Sequence, residues 1–326
     1  MGRTLTISHH GTVLKYLNTR KKQGVGGLPP RRGFCQPGGL AGRFILVFVA
    51  MAGMLASASA SASASASASA SADSQCQAFS PGHVLPTITR AFMLEHTQLL
   101  CNQGYAVLVS AVTHTPLWAA EHLDPALLDR AAGLERSGSF HADARWAGGS
   151  TLADYAHSGY SRGHMVPSAD QADSDAQMQT FALSNIVPQT AVLNEGIWAR
   201  IERTVRDMAY QDGELYVVTG PAFHGHPIPT IGQSHVFVPS STWKAVYEPR
   251  RQRAGVYVCK NRRAHVQCDV VTVATLTRNT GIDPFPALPA QVKARFWHLP
   301  SPHKGKATTR ADMAMHEGLD ARGRRP

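Results

Sequence analysis

The stretch from Gly159 to Glu202 constrains this chain more than any other. Tyr160–Val166 is expected to be extended and to end at Pro167, and Ala182–Val187 is a second strand-like run. A helix is then expected from near Asn194 to about Tyr210, with Ile197, Ile201, Val205 and Met208 at helical spacing. Two extended runs followed by a helix put polar groups in usable places: His164 beside Arg162, Asn194 at the helix mouth, and Glu202 two turns along it. A base, a guanidinium and oxygen ligands for a hard cation are what phosphodiester hydrolysis requires.

Each of these residues has a plainer reading. Arg162 and His164 read equally well as an exposed polar pair on a loop. Asn is a favoured helix N-cap, which would account for Asn194 with no chemistry at all. Glu202 and Arg206 are four apart and could form a solvated ion pair worth little. Gly159-Tyr160-Ser161-Arg162-Gly163 also matches the G-x-S-x-G pattern of a serine-hydrolase elbow. That pattern needs a buried strand before it and a helix after it. Leu152–Ser158 is polar and mixed, and Pro167 stands where the helix should run.

Three strings taken together are more specific: Tyr160-Ser161-Arg162-Gly163-His164-Met165-Val166-Pro167, Leu183-Ser184-Asn185-Ile186-Val187-Pro188-Gln189, and Leu193-Asn194-Glu195-Gly196-Ile197-Trp198-Ala199-Arg200-Ile201-Glu202. They resemble the DNA/RNA non-specific endonucleases, the sugar-non-specific nucleases of the ββα-metal (His-Me finger) class. The resemblance runs from about Cys76 to about Val292, with further matches at Thr115–Trp118, Val218–Pro221 and Thr280–Asp283. It implies His164 as general base, Asn194 as direct metal ligand, and Glu202 holding the ion's waters. Arg162 and Arg206 are then donors to the phosphate, and Asn185 fixes the loop and the histidine. The implied cofactor is Mg²⁺, with Mn²⁺ as a substitute, and the implied substrates are DNA and RNA. In the family an arginine near residues 125–149 contacts the phosphate, and Arg136 is the nearest candidate. The family motif usually opens with Asp, where this chain has Ser161.

The net charge of +10 invites a polyanion partner, but its distribution does not. Residues 1–43 carry eight Lys/Arg and no acid, whereas residues 44–301 carry eighteen Lys/Arg against nineteen Asp/Glu. Any attraction for nucleic acid must therefore come from local clusters. The basic start leads into Phe44–Leu55, an apolar run short for a membrane span, and then into Ala-Ser alternation with many A-x-A sites. This is the order of a secretory signal peptide, so residues 1–72 are expected to be a targeting segment and low-complexity spacer. A secreted or periplasmic protein with no stable membrane span after processing is expected; an uncleaved anchor or an organellar presequence are the alternatives. Residues 73–301 form the expected domain and 302–326 a basic tail without periodicity. No feature of the sequence bears on oligomeric state.

With Cys35 in the segment to be removed, Cys76, Cys101, Cys259 and Cys268 remain. An even count in an exported chain points to two disulfides, and of three connectivities the sequence-local pairs Cys76–Cys101 and Cys259–Cys268 are expected. Four buried thiols are the alternative.

Residues 105–112 and 116–122 read as the arms of a hairpin, 125–132 as a short helix, and 138–149 as irregular. Strands are expected at 214–220, 235–239, 243–247, 254–258 and 269–276, all rich in β-branched and aromatic residues. The fold class is α+β, a mixed or antiparallel sheet whose helices carry the finger. Arg250, Arg251, Arg253, Lys260, Arg262 and Arg263 flank one strand, either as solvated hairpin ends or as a nucleic-acid-facing rim. The rival to an enzyme is an exported nucleic-acid-binding protein of the same fold, catalytically weak or inactive, motivated by Ser161.

Overall fold

A computed structural model of the chain describes residues 75–302. The expected targeting segment with Cys35, and the tail beyond Pro302, lie outside the described residues.

The alternating runs form the sheet. Its strands are β1 (Thr97–Cys101), β2 (Tyr105–Ser110), β3 (Thr115–Leu123), β6 (Leu215–Ala222), β7 (Ser241–Glu248), β8 (Arg253–Lys260) and β9 (Cys268–Val271). Between β3 and β6 the chain makes a separate two-stranded ladder of β4 (Ser161–His164) and β5 (Ile186–Gln189). The large sheet has the order β9-β8-β7-β6-β3-β2-β1, and every neighbouring pair is antiparallel. At its middle, β3 lies against β6 with Ala119 opposite Thr219, a pairing across a hundred residues that brings the chain back beside itself.

Both faces of this sheet are covered, which explains why β7 is buried at all eight positions rather than alternately. Period-two geometry sends neighbours to opposite faces. Val218, Ala245 and Val256 pack on one side with α3 (Val273–Thr280) through Val273 and Leu276. Val217, Val246 and Tyr257 pack on the other with α2 (Ala199–Asp212) through Ile201, Val205 and Met208. Each large apolar side chain buried this way contributes about 1.5–3 kcal/mol. Met165, Val166 and Val187 of the small ladder join the α2 face against Val107, Val109 and Ala119. The site is thereby fixed to the centre of the sheet.

The expected hairpin and the short helix, α1 (Pro125–Ala132), are present; Asp124 caps α1 by accepting from Leu127 N at 2.8 Å. Three expectations need correction. The strand expected over 269–276 ends at Val271, and Val273 begins α3. Its β-branched residues favour a strand, but Thr272 caps the helix by accepting from Thr275 N, and Gly281 ends it in a left-handed conformation. The strand-like run 182–187 is a 3-10 turn over Leu183–Asn185 and becomes a strand only at Ile186. The helix near Asn194 begins as a wide π turn over Leu193–Trp198, kinked at Gly196, and is regular only from Ala199. The Cys76–Cys101 and Cys259–Cys268 disulfides are both formed.

Candidate active site

The small ladder and α2 make a β-β-α unit whose parts are held very close together. Gly163 is buried opposite Val187, and a Cβ there would collide with the side chain of Gln189. After His164 the chain is locked by Asn185. Its Nδ2 donates to Val166 O (2.9 Å) and Thr180 O (3.0 Å), its Oδ1 accepts from Val166 N (3.0 Å), and its backbone carbonyl accepts from Met165 N (2.9 Å). Asn185 is fully buried and does not line the cavity, so what it does is hold the two residues that follow His164.

Beside this unit is a cavity of about 670 Å³. His164, Arg162, Asn194, Glu202 and Arg206 all line it, together with Arg136 and Ser161. Ala199, Glu202, Arg203 and Arg206 are one stripe of α2, the face opposite the Ile201–Val205–Met208 contact with the sheet. Residues far apart in sequence are thus collected at one place.

His164 sits between two aromatic rings, Phe140 at 5.4 Å and Phe181 at 5.2 Å, and its Nε2 is buried without a hydrogen-bond partner among the described residues. Burial, helped by the charge of Arg136, pulls its pKa down to about 3, so the imidazole is neutral at any ordinary pH. Arg162 lies over Phe140 (5.1 Å) and Tyr155 (5.9 Å), and its Nε is likewise buried and unpartnered. Neither residue is an exposed loop side chain.

Glu202 is not hydrogen-bonded to any described residue. Burial pushes its carboxyl up to about 7 against the opposing pull of Lys244 and Arg206. The solvated Glu202–Arg206 pair is not what forms: Arg206 instead donates to Asp170 at 2.7 Å, tying the 3-10 turn Ser168–Asp170 to α2. Asn194 is not a helix cap either, since no side chain caps the π turn or α2. Its amide is left to the cavity. Among the described residues no group of three or more His, Cys, Asp or Glu side chains gathers as a metal site. An amide oxygen and one carboxylate are few and hard donors, which fit a cation that keeps most of its waters, as Mg²⁺ does.

Ser161 opens β4, and the chain continues extended through His164 with no helix behind it. That geometry excludes the nucleophile elbow.

A polar layer beneath the cavity escaped the sequence reading. Lys244, in the middle of β7 and fully buried, donates to Thr219 Oγ1 (2.6 Å) and to Met165 O (3.4 Å), and lies 4.0 Å from Glu121. Burial, reinforced by Asp170, holds the Glu121 carboxyl well above the usual carboxylate range despite Lys244. A charged residue inside a run that is otherwise apolar was the available signal.

The family model described as DNA/RNA non-specific endonuclease matches residues 84–291. The chain is 33% identical to mitochondrial nuclease EXOG of Danio rerio over 201 residues, covering 55% of this chain and 58% of that protein. Nuclease C1 of Cunninghamella echinulata var. echinulata is 33% identical over 172 residues, with 48% and 67% covered. Mitochondrial endonuclease G of Homo sapiens is 32% identical over 164 residues, with 46% and 54% covered. The chain spans about half the length of the curated relatives it matches. The fold is shared with a chain of the solved EndoG/EndoGI complex, at a TM-score of 0.52 and 24% identity over 58% of this chain and 85% of that one.

Proposed function

This chain belongs to the DNA/RNA non-specific endonuclease family, and on that premise we propose that it is a metal-dependent, sugar-non-specific endonuclease cleaving DNA and RNA. The observation that carries this reading is the cavity. It combines an imidazole with a buried nitrogen, three guanidiniums (Arg136, Arg162 and Arg203) without carboxylate partners among the described residues, and hard oxygen donors at Asn194 and Glu202.

His164 takes a proton from water as that water attacks phosphorus. The low basicity of His164 comes first from burial and second from the charge of Arg136, and the negative charge of a bound phosphate group opposes both. Arg162 and Arg136, resting on rings and without a carboxylate partner among the described residues, donate to the phosphate oxygens as charge develops. Arg206 is committed to Asp170 on one side and holds the position of Glu202's side of the helix. Asn194 would hold Mg²⁺, or Mn²⁺ in its place, with Glu202 acting through its waters; when bound, the cation supplies charge neutralisation at the leaving oxygen. Asn185 keeps the loop after His164 in place. Contacts of this kind read backbone rather than bases, so little sequence selectivity follows.

The test is plasmid nicking. EDTA silences the wild type, Mg²⁺ or Mn²⁺ restores it, and His164→Ala lowers turnover by about 10²–10⁴-fold without a change in folding. Digestion by His164→Ala at the wild-type rate would place the chemistry elsewhere. A nucleic-acid-binding protein without catalysis is the second reading, favoured by Ser161 and by the low basicity of His164; a wild type that binds DNA but never nicks it with added metal would establish it. Two disulfides support an oxidising destination, and with it the expected export. Free thiols in non-reduced peptide maps of protein from its native compartment would end that part of the proposal.

A further inference from the structure

Arg263 reaches this site from a distant part of the chain. It lies on the connection between β8 and β9, which the Cys259–Cys268 disulfide closes into a loop. The loop is fastened to the back of the β4–β5 ladder. Asn261 Nδ2 donates to Pro188 O (3.0 Å) and Pro239 O (2.9 Å), Thr190 N donates to Asn261 Oδ1 (2.8 Å), and Thr190 Oγ1 donates to Arg262 O (2.9 Å). Pro188 is the residue paired with Arg162, so the loop is tied to the strand that positions a site arginine.

What the loop delivers is a cation. The Arg263 guanidinium lies 5.2 Å from the ring centre of Tyr160, and Tyr160 lines the cavity. Gly159 makes room for it: with φ +76 it turns where a side chain would be strained, and a Cβ there would be 3.0 Å from Arg263 Nη2. The side chain is exposed, and among the described residues no carboxylate is within ion-pair distance of it. Stacking on a ring fixes the plane of a guanidinium and leaves its N–H edge free, and that edge matches two phosphate oxygens.

We propose that Arg263, laid on Tyr160 and held there by the Cys259–Cys268 loop, binds a backbone phosphate of the nucleic acid strand next to the scissile one. This rests on the endonuclease reading. It makes the loop part of the substrate-binding surface, and it assigns the disulfide the job of holding that contact in place.

The experiment compares three full-length variants with the wild type on a defined DNA duplex, measuring cleavage with Mg²⁺ and binding with Ca²⁺ over a range of salt. Arg263→Ala raises KM about 5–10-fold while kcat stays within about twofold, and lowers the slope of log K against log salt by about one, the loss of one phosphate contact. Arg278→Ala removes the same charge from α3 on the opposite face of the sheet and changes neither quantity. The Cys259→Ser/Cys268→Ser double variant raises KM as Arg263→Ala does, and combining the two adds nothing further. An unchanged KM and slope in Arg263→Ala overturns the proposal, as does an equal shift in Arg278→Ala; a slope that holds while KM rises overturns the phosphate assignment in particular. A wild type that neither cleaves nor binds overturns the endonuclease reading itself, an outcome distinct from a cleaving wild type whose Arg263→Ala variant behaves identically.

Discussion

Two arginine-rich regions of this molecule use the same side chain in opposite ways. At the turn joining β7 and β8, Arg251 donates to Asp212 at 2.6 Å, Arg253 donates to Asp212 at 3.0 Å and to Glu248 at 3.1 Å, and Arg250 donates to the Asp212 backbone carbonyl at 3.2 Å. Around the cavity, Arg136 lies over Phe181, Arg162 over Phe140 and Arg263 over Tyr160, each 5.1–5.3 Å from the ring centre. Among the described residues none of these three has a carboxylate partner. The difference is the acid and not the ring, since Arg253 also lies over Trp297 (4.3 Å): a guanidinium matched to acids has its donors filled and its charge cancelled, and one resting on a ring alone keeps both. Clustering in sequence does not separate the two kinds. Of the six basic residues that flank β8, Arg250, Arg251 and Arg253 lie at the neutralised hairpin turn, whereas Arg263 lies over Tyr160, which lines the cavity.

The largest test of this contrast is Arg162→Ala. If Arg162 donates to the phosphate as proposed, turnover is expected to fall by about 10²-fold or more with a thermal melt close to wild type. Arg253→Ala is expected to do the reverse, and a large rate loss there would erase the distinction. Next in size is Glu248→Ala, which deletes a fully buried acid and leaves Arg251 and Arg253 with Asp212 as their remaining carboxylate. A destabilisation of about 1–3 kcal/mol by denaturant titration is expected, with kcat unchanged.

A smaller effect concerns the cavity acid that has no such partner. Glu202's folded pKa is raised from 4.5 to about 7. Its contribution to stability is therefore fully present below pH 4.5 and is lost as pH rises through 7. Glu202→Gln is expected to flatten that loss in the metal-free protein and to remove an acid limb near pH 7 from the activity profile. A limb that survives the substitution would have to come from another group. The least effect is expected from Ser161→Ala, within about twofold in rate, because the serine carries no charge and is not at an elbow. A loss of a hundredfold would show that it braces Arg162.

The sequence made the site partly legible for a physical reason. The apolar stripe of α2 is set by local periodicity, His164 and Asn185 were picked out by the family resemblance of strings within one segment, and the disulfides close loops of 25 and 9 residues. What it did not yield depends on partners far along the chain. Asp170 as the mate of Arg206, Lys244 against Met165 O, and Arg263 over Tyr160 are separated by 36, 79 and about a hundred residues. The helix α3 was hidden differently: Val271, Thr272, Val273 and Thr275 carry strand propensity, and a cap at each end overrode it. Asn194 looked like a cap because Asn usually is one where a helix begins, and here the helix begins with a wide turn instead.

The pairing of β3 with β6 carries a consequence for how such a molecule assembles and varies. From Leu123 to Leu215 the chain departs from the sheet and returns beside the strand it left, so every residue assigned to the chemistry belongs to one closed excursion. Closing a longer loop adds only a logarithmic entropic penalty, about 0.6 kcal/mol for each doubling of its length. The sheet can therefore carry so long an insertion at small thermodynamic cost, while the distant pairing makes folding slow. The excursion is bound to its framework through α2 and through Met165, Val166 and Val187, which cover one face of the sheet, so it is the residues facing away from that contact that can be rewritten while the strands keep the same register.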